Sequence, residues 1–281
     1  MAVGVVVVST AALAIRYAQR EAPSLSIAAW RLTLAALVLA PIVLTRRRDE
    51  LSRLTRSELA RAAVSGFFLA LHFAAWISSL EYTSVAASSV LVATNPLFVG
   101  LLSPLLLQER IGRLMLGGIL IAFAGSAVIA LGDVGSGSDP LLGDTLAMAG
   151  AATAAGYMMI GRTLRRQLSL LTYIFIVYGV AALILLVVAL GSCQPMFDFA
   201  PSTYGWLFFL GLGPQLIGHS SFNWALRYLS AAFVTVTLLS EPIGASVLAW
   251  VQLGEPPTGL EVFGGGLVLI GITVASRAER T

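Results

Sequence analysis

Residues 80–130 read LEYTSVAASSVLVATNPLFVGLLSPLLLQERIGRLMLGGILIAFAGSAVIA, and residues 226–276 read LRYLSAAFVTVTLLSEPIGASVLAWVQLGEPPTGLEVFGGGLVLIGITVAS. Laid over each other without a gap, at a constant offset of 146, they match Leu80 with Leu226, Tyr82 with Tyr228, Ser84 with Ser230 and Ala86 with Ala232. Pro96 meets Pro242, Glu109 meets Glu255, Gly118 meets Gly264 and Gly125 meets Gly271. Upstream, Arg16 and Arg20 meet Arg162 and Arg166 at the same offset. Apolar low-complexity sequence yields chance matches, but not ungapped matches of Pro, Glu and Gly. The chain therefore reads as a duplication, with a first half over 1–135 and a second over 136–281.

Composition says which solvent the halves occupy. Hydrophobic residues make up 58% of the 281 and charged residues 11%, against about 25% charged in a soluble globular chain. Mean hydropathy is +0.89. A helix needs roughly 20 apolar residues to cross the hydrocarbon core. Continuous stretches of about that length recur at 1–19, 25–45, 60–80, 84–107, 111–132, 141–161, 169–190, 203–226, 230–252 and 259–277. Membrane strands would instead alternate over about ten residues. The expected fold is an all-α membrane protein of about ten transmembrane helices, and no soluble domain fits between them. The longest connection is the basic run at 45–60. Residues 1–15, with Ala12-Leu13-Ala14, resemble a signal peptide. No basic segment precedes them, however, and the repeat matches them to an internal span, so they are read as the first helix.

All 17 basic residues are arginines. With the N-terminus in the cytoplasm, the inner side holds Arg46, Arg47, Arg48, Arg53, Arg56 and Arg61. It also holds Arg110, Arg113, Arg162, Arg165, Arg166, Arg227, Arg277 and Arg280. Only Arg16 and Arg20 fall outside, and Arg31 lies within the second span. This is the positive-inside pattern. It places both termini in the cytoplasm of a cell whose inner membrane holds the protein, and it accounts for the basic charge without a nucleic acid. Each half holds five spans. Five is odd, so the second half enters the membrane from the opposite side. Two inverted five-helix repeats around a central cavity are a recurrent plan for secondary transporters.

Polar and breaker residues inside lipid are the candidate site. Asn95-Pro96 in span four and Glu241-Pro242 in span nine are repeat mates. Proline has no N–H and frees the carbonyl four residues earlier, here that of Val92 or Leu238, which beside a polar side chain suits an ammonium group. The plainer reading is a structural kink at Pro96 and Pro242. Glu241 is the one acid placed deep in the membrane, either for substrate or proton, or as a partner of His219 or Arg31. His72 and Trp76 share one helix face, and so do His219 and Asn223, with Trp224 adjacent. Tyr157 and Tyr178 are weaker candidates. Taken singly, each of these histidines and aromatics reads first as packing. Trp30 and Arg31 are placed near an outer mouth, where Arg31 either binds a carboxylate or snorkels. Gly118 and Gly125, like Gly264 and Gly271, mark small-residue packing faces. The single cysteine, Cys193, forms no intrachain disulfide. No metal-ligand cluster, cofactor motif or P-loop is present. Gly218-His219-Ser220-Ser221 lacks the closing glycine of a nucleophile elbow.

His72-Phe73-Ala74-Ala75-Trp76, Leu80-Glu81-Tyr82-Thr83-Ser84-Val85-Ala86, Asn95-Pro96-Leu97-Phe98 and Glu109-Arg110 resemble the EamA type of the drug/metabolite transporter superfamily. So do Ala29-Trp30-Arg31-Leu32, Leu238-Leu239-Ser240-Glu241-Pro242 and Leu253-Gly254-Glu255. Within the superfamily the chain most resembles the YddG-like exporters of aromatic amino acids, although its first span lacks a tryptophan often found there. The resemblance implies ten spans, a central cavity and amino-acid export by alternating access, with no cofactor and no enzymatic activity. The expected substrate is a hydrophobic or aromatic amino acid, held by His72, Trp76, Asn95, Tyr157, His219, Asn223 and Glu241. The chain is expected to act as a monomer, either coupled to protons or by facilitated diffusion. Export of other metabolites or drugs, a channel and a membrane-embedded enzyme are the alternatives.

Overall fold

The structure, a computed structural model, describes residues 1–109, 111–130, 137–241, 243–244, 247–248 and 259–280. It is helical, with no strand among the described residues. In chain order the helices are α1 (Ala2–Val8), α2 (Ala11–Ala18), α3 (Ser24–Arg46), α4 (Arg48–Ser52), α5 (Arg56–Tyr82), α6 (Val85–Val92) and α7 (Asn95–Leu106). They continue with α8 (Arg113–Ala130), α9 (Pro140–Leu164), α10 (Leu170–Gly191) and α11 (Pro201–Leu210). A π-helical segment (Gly211–His219) leads into α12 (Ser220–Ala225), and α13 (Ala231–Leu238) and α14 (Gly259–Arg280) follow. Among the described residues, five helical stretches are both long and apolar enough to cross a membrane. Leu101, Leu105, Leu141, Val187 and Phe263 are each more than half exposed. An apolar surface of that extent asks for lipid rather than water.

Three of the expected spans are broken among the described residues, the ninth after α13, where Leu239 and Ser240 form a turn. The first breaks between α1 and α2, where Ser9 Oγ donates to Val5 O at 2.9 Å and Thr10 Oγ1 to Val7 O at 2.6 Å. The fourth breaks between α6 and α7, where Thr94 Oγ1 donates to Leu91 O at 2.7 Å. In a bilayer each backbone carbonyl needs an internal partner; Val5 O, Val7 O and Leu91 O also accept backbone N–H groups, so the hydroxyls add second bonds at the breaks. Pro96 therefore does not kink a continuous helix. It sits in the first turn of α7, where a missing N–H breaks no helical bond. Pro242 lies outside the described residues.

The 146-residue offset recurs in hydrogen bonds. Arg16 Nη1 donates to Leu80 O at 2.5 Å, and Arg162 Nη1 to Leu226 O at 2.9 Å. Ser84 Oγ caps Ala87 N, and Ser230 Oγ caps Phe233 N. Thr94 Oγ1 bonds Leu91 O, and Ser240 Oγ bonds Thr237 O.

Acids outside the spans sit at helix starts, where a negative charge meets free N–H groups. Glu81 accepts from Ser24 N at 3.1 Å, Glu21 from Ala200 N at 2.9 Å, and Glu279 from Ser230 N at 2.5 Å. On the arginine-rich face, Glu109 pairs with Arg162 at 2.8 Å and with Arg166 at 3.0 Å, joining the α7–α8 connection to the end of α9.

The basic run at 45–60, the longest expected connection, is largely helical. It holds α4 and the first turn of α5, which begins with a capping box between Thr55 and Glu58. From α4, Glu50 accepts from Ser169 N at 2.7 Å and Thr172 Oγ1 at 2.8 Å, at the start of α10. Burial pushes the Glu50 carboxyl up, but the bonds from Ser169 and Thr172 and the nearby Arg47 outweigh it, holding the group below its ordinary value of 4.5. Such a carboxylate adds stability above its unfolded pKa and loses it as pH falls through the folded one. Glu50→Ala should therefore lower the thermal midpoint at pH 7, by the equivalent of about 1–2 kcal/mol for two partly exposed charged hydrogen bonds. The gap from wild type should close as pH falls below about 4.5. A gap independent of pH would refute the electrostatic account.

Candidate functional site

The centre of the bundle encloses a cavity of about 40 Å³, lined by His72, Trp76, Asn95, Tyr157, His219 and Glu241 among others. Four elements bring most of its polar and aromatic groups. α5 brings His72 and Trp76 on one face. The start of α7 brings Asn95, α9 brings Tyr157, and the end of the π-helical segment brings His219. Apolar wall comes from Val8, Val92, Ala93, Ala154, Met158 and Leu238. Wider depressions lie on the two faces of the bundle, about 430 Å³ beside Arg16 and Arg20 and about 610 Å³ beside Arg46 and Arg227. The central cavity is smaller, and what distinguishes it is its chemistry.

His72 Nδ1 donates to Gly150 O at 2.9 Å, so in the neutral ring Nε2 is an acceptor. Its ring stacks on Trp76 at 5.8 Å between centroids and 12° between planes. His219 meets Phe73 edge-on at 5.1 Å and lies 6.4 Å from His72. Tyr157 accepts a short hydrogen bond from Asn223 Nδ2. Among the described residues several buried polar atoms have no hydrogen-bond partner: Trp76 Nε1, Asn95 Oδ1, His219 Nδ1 and Glu241 Oε1. Buried polar groups are nearly always paired. Four orphans around one cavity are groups prepared for water or a ligand. A cavity of this size holds a few waters, so a ligand of amino-acid size requires the surrounding helices to part.

Six of the seven expected binding residues thus converge. Asn223 does not line the cavity. It is fully buried behind the wall, where its Nδ2 donates to His219 O at 2.8 Å and Tyr178 OH at 3.4 Å. Its role here is to position Tyr157 and the π-helical segment. Trp224 turns away, about half exposed and packed on Tyr228 at 5.0 Å. Tyr178 is buried against Ser220 Oγ at 3.3 Å. Trp30 is held near the 192–200 connection, its Nε1 donating to Met196 O at 2.8 Å. Arg31 neither snorkels nor sits at a mouth, because it is completely buried. Its Nε donates to Gln215 Oε1 at 2.9 Å. Gln215 was not singled out by sequence reasoning. The signal for it was the breaker-rich run Gly211-Leu212-Gly213-Pro214, since π-helical turns are frequent at functional sites.

A helical bundle with a lipid-facing exterior and a polar, partly unsatisfied central cavity is a multi-pass membrane protein of the transporter class. The chain matches the EamA-like transporter family over residues 1–131 and 141–277, and it belongs to that family. It is a membrane transporter of small molecules and not an enzyme. It is 28% identical over 275 residues to an uncharacterized transporter of Archaeoglobus fulgidus, covering 94% of this chain and 92% of that one. A probable terminal-alkyne amino-acid exporter of Streptantibioticus cattleyicolor is 29% identical over 198 residues, or 70% of this chain and 65% of that one. The pseudopaline exporter CntI of Pseudomonas aeruginosa is 25% identical over 228 residues, covering 81% and 78%. A solved crystal structure superposes with a TM-score of 0.80 at 20% identity, over 99% of this chain and 96% of that one, and so shares the fold.

Proposed function

We propose that this chain exports hydrophobic or aromatic amino acids from the cytoplasm by alternating access through the central cavity. The observation that carries the reading is the cavity lining, in which the rings of His72, Trp76, Tyr157 and His219 surround unpartnered polar atoms of Asn95 and Glu241. A ring-bearing side chain packs on the aromatics, and a charged backbone end meets the polar atoms. Two relatives carry names of exporters, one of an amino acid, which agrees with the direction and the substrate class.

The halves over 1–135 and 136–281 form an inverted pair of five spans each, with both termini in the cytoplasm and the protein in the inner membrane. The hydrogen bonds repeated 146 residues apart support this division, as does the family match over two successive segments. Exchange of conformations between the halves opens the cavity to one side and then the other. The chain acts as a monomer.

Purified protein in liposomes loaded with Trp, Phe or Ala provides the test. Saturable movement of Trp and Phe, with Ala much slower, is the expected result. Equal movement of Ala would refute the selectivity, and flux without saturation would indicate a channel. If Glu241 or a histidine carries protons, an imposed pH gradient should drive the flux. Indifference to the gradient would leave facilitated diffusion.

A further inference from the structure

Arg31 and Glu241 are both held in the bundle interior and feel each other's charge, but no direct ion pair joins them. Among the described residues the ion pairs are those of Glu109. Arg31 is fully buried, with its guanidinium carbon 4.2 Å from the Phe73 ring centroid and 6.0 Å from that of Trp76. Gln215 occupies its Nε, while Nη1 and Nη2 have no partner among the described residues. Glu241 lines the cavity beside Trp76 with Oε1 unpartnered. A charge buried inside a membrane is expensive, and a direct ion pair would be the fullest remedy. Instead, Trp76 touches both surroundings, its ring beneath the guanidinium and its side chain on the cavity wall.

We propose that Arg31 and Glu241 are the two charged poles of the binding site, receiving the carboxylate and the ammonium group of one zwitterionic ligand. The proposal rests on the cavity being the transport site and adds how its ligand is oriented. With Nε bonded to Gln215, the free edge of Arg31 is the Nη1–Nη2 fork, which matches a carboxylate in bidentate geometry. Arg31 stands directly behind Phe73 and Trp76, outside the 40 Å³ cavity. The cavity must widen for any ligand of amino-acid size, and displacement of those two rings exposes the fork. The ligand side chain then lies on Trp76 between the poles.

Three probes separate the poles: L-Phe, 3-phenylpropionate (no ammonium) and 2-phenylethylamine (no carboxylate). Each competes with labelled L-Phe for the full chain in nanodiscs. In the wild type both fragments should bind at least about tenfold more weakly than L-Phe, as expected for losing a charged hydrogen-bonded contact. Arg31→Met should weaken L-Phe at least about tenfold and leave 2-phenylethylamine unchanged. Glu241→Gln should weaken L-Phe and leave 3-phenylpropionate unchanged. Arg31→Lys, which keeps charge without the fork, should fall between wild type and Arg31→Met. If Arg31→Met does not fold, the wild-type fragment comparison and Arg31→Lys decide. Equal binding of L-Phe and 3-phenylpropionate, or loss of 2-phenylethylamine together with L-Phe in the Arg31 variants, overturns the assignment alone. Absence of L-Phe and L-Trp binding to the wild type overturns the amino-acid reading as well.

Discussion

Glu241→Ala is expected to lower saturable uptake in liposomes by at least about tenfold without lowering the thermal midpoint of the protein. The two halves of that result have one cause. Glu241 sits on the cavity wall, and Oε1 has no hydrogen-bond partner among the described residues. A carboxylate that anchored the fold would be paired, and removing it would leave its partner stranded at a large cost. A carboxylate held open for a ligand contributes little to the empty protein and burdens it with desolvation. Its removal is then neutral or stabilising, as at binding sites where function and stability compete. The kinetic split sharpens the reading. If Glu241 holds the substrate, KM rises most. If it also carries a proton, kcat falls and the response to a pH gradient disappears. A fall in thermal midpoint that matches the fall in uptake would make Glu241 a structural residue and refute the assignment.

The repeat mate of Glu241 is Asn95, and both line the same cavity. That convergence is legible in the sequence. The offset of 146 pairs the two positions, and each is the residue at which its helix resumes after a turn. The shared face of His72 and Trp76 is legible for a similar reason, since a spacing of four in a helix leaves little choice. Other features are not. Asn223 has the same spacing from His219, yet it points into a network with Tyr157 and Tyr178. Periodicity says which residues share a face but not which neighbouring helix covers it. Arg31 illustrates the limit more sharply. An arginine seven residues into a span can snorkel if the helix is near the interface and faces lipid. Here α3 packs against α10, α5 and the π-helical segment, and the guanidinium has no route outward. The π-helical turn that presents Gln215 depends on a local choice between hydrogen-bond registers, which composition alone does not settle. Helix α4 is hidden by its charge, because a run of arginines reads as a connection until Glu50 ties it to the start of α10.

Gly271→Leu is expected to be the most damaging single substitution for folding, giving aggregated protein or a large drop in thermal midpoint. A Cβ on Gly271 would strike Ala122 N and lie 2.6 Å from Gly118 O. One on Gly118 would lie 2.7 Å from Ala275 N, and one on Gly125 would lie 2.5 Å from Gly264 O. The atoms in the way are backbone, so no rotamer change relieves the contact. Overpacking costs about 1–3 kcal/mol where side chains can shift, and the cost is higher where two helices must separate. Between membrane helices that separation also removes the close packing that drives association in lipid. Gly117 and Gly266 lie on the same two helices, and a methyl group added at either would meet nothing within 4 Å. Gly117→Ala and Gly266→Ala should therefore be neutral or slightly stabilising, because alanine is the better helix former by about 0.5–1 kcal/mol. Equal tolerance at Gly271 and Gly266 would refute the packing account. The contact also bears on the architecture. Gly118 and Gly264 are repeat mates, and so are Gly125 and Gly271, yet Gly118 approaches Gly271 and Gly125 approaches Gly264. Each glycine meets the mate of the other, which agrees with the two-fold relation proposed for the halves. A substitution here disturbs the seam between α8 and α14, so a variant that folds but separates this seam should lose transport with its cavity residues intact.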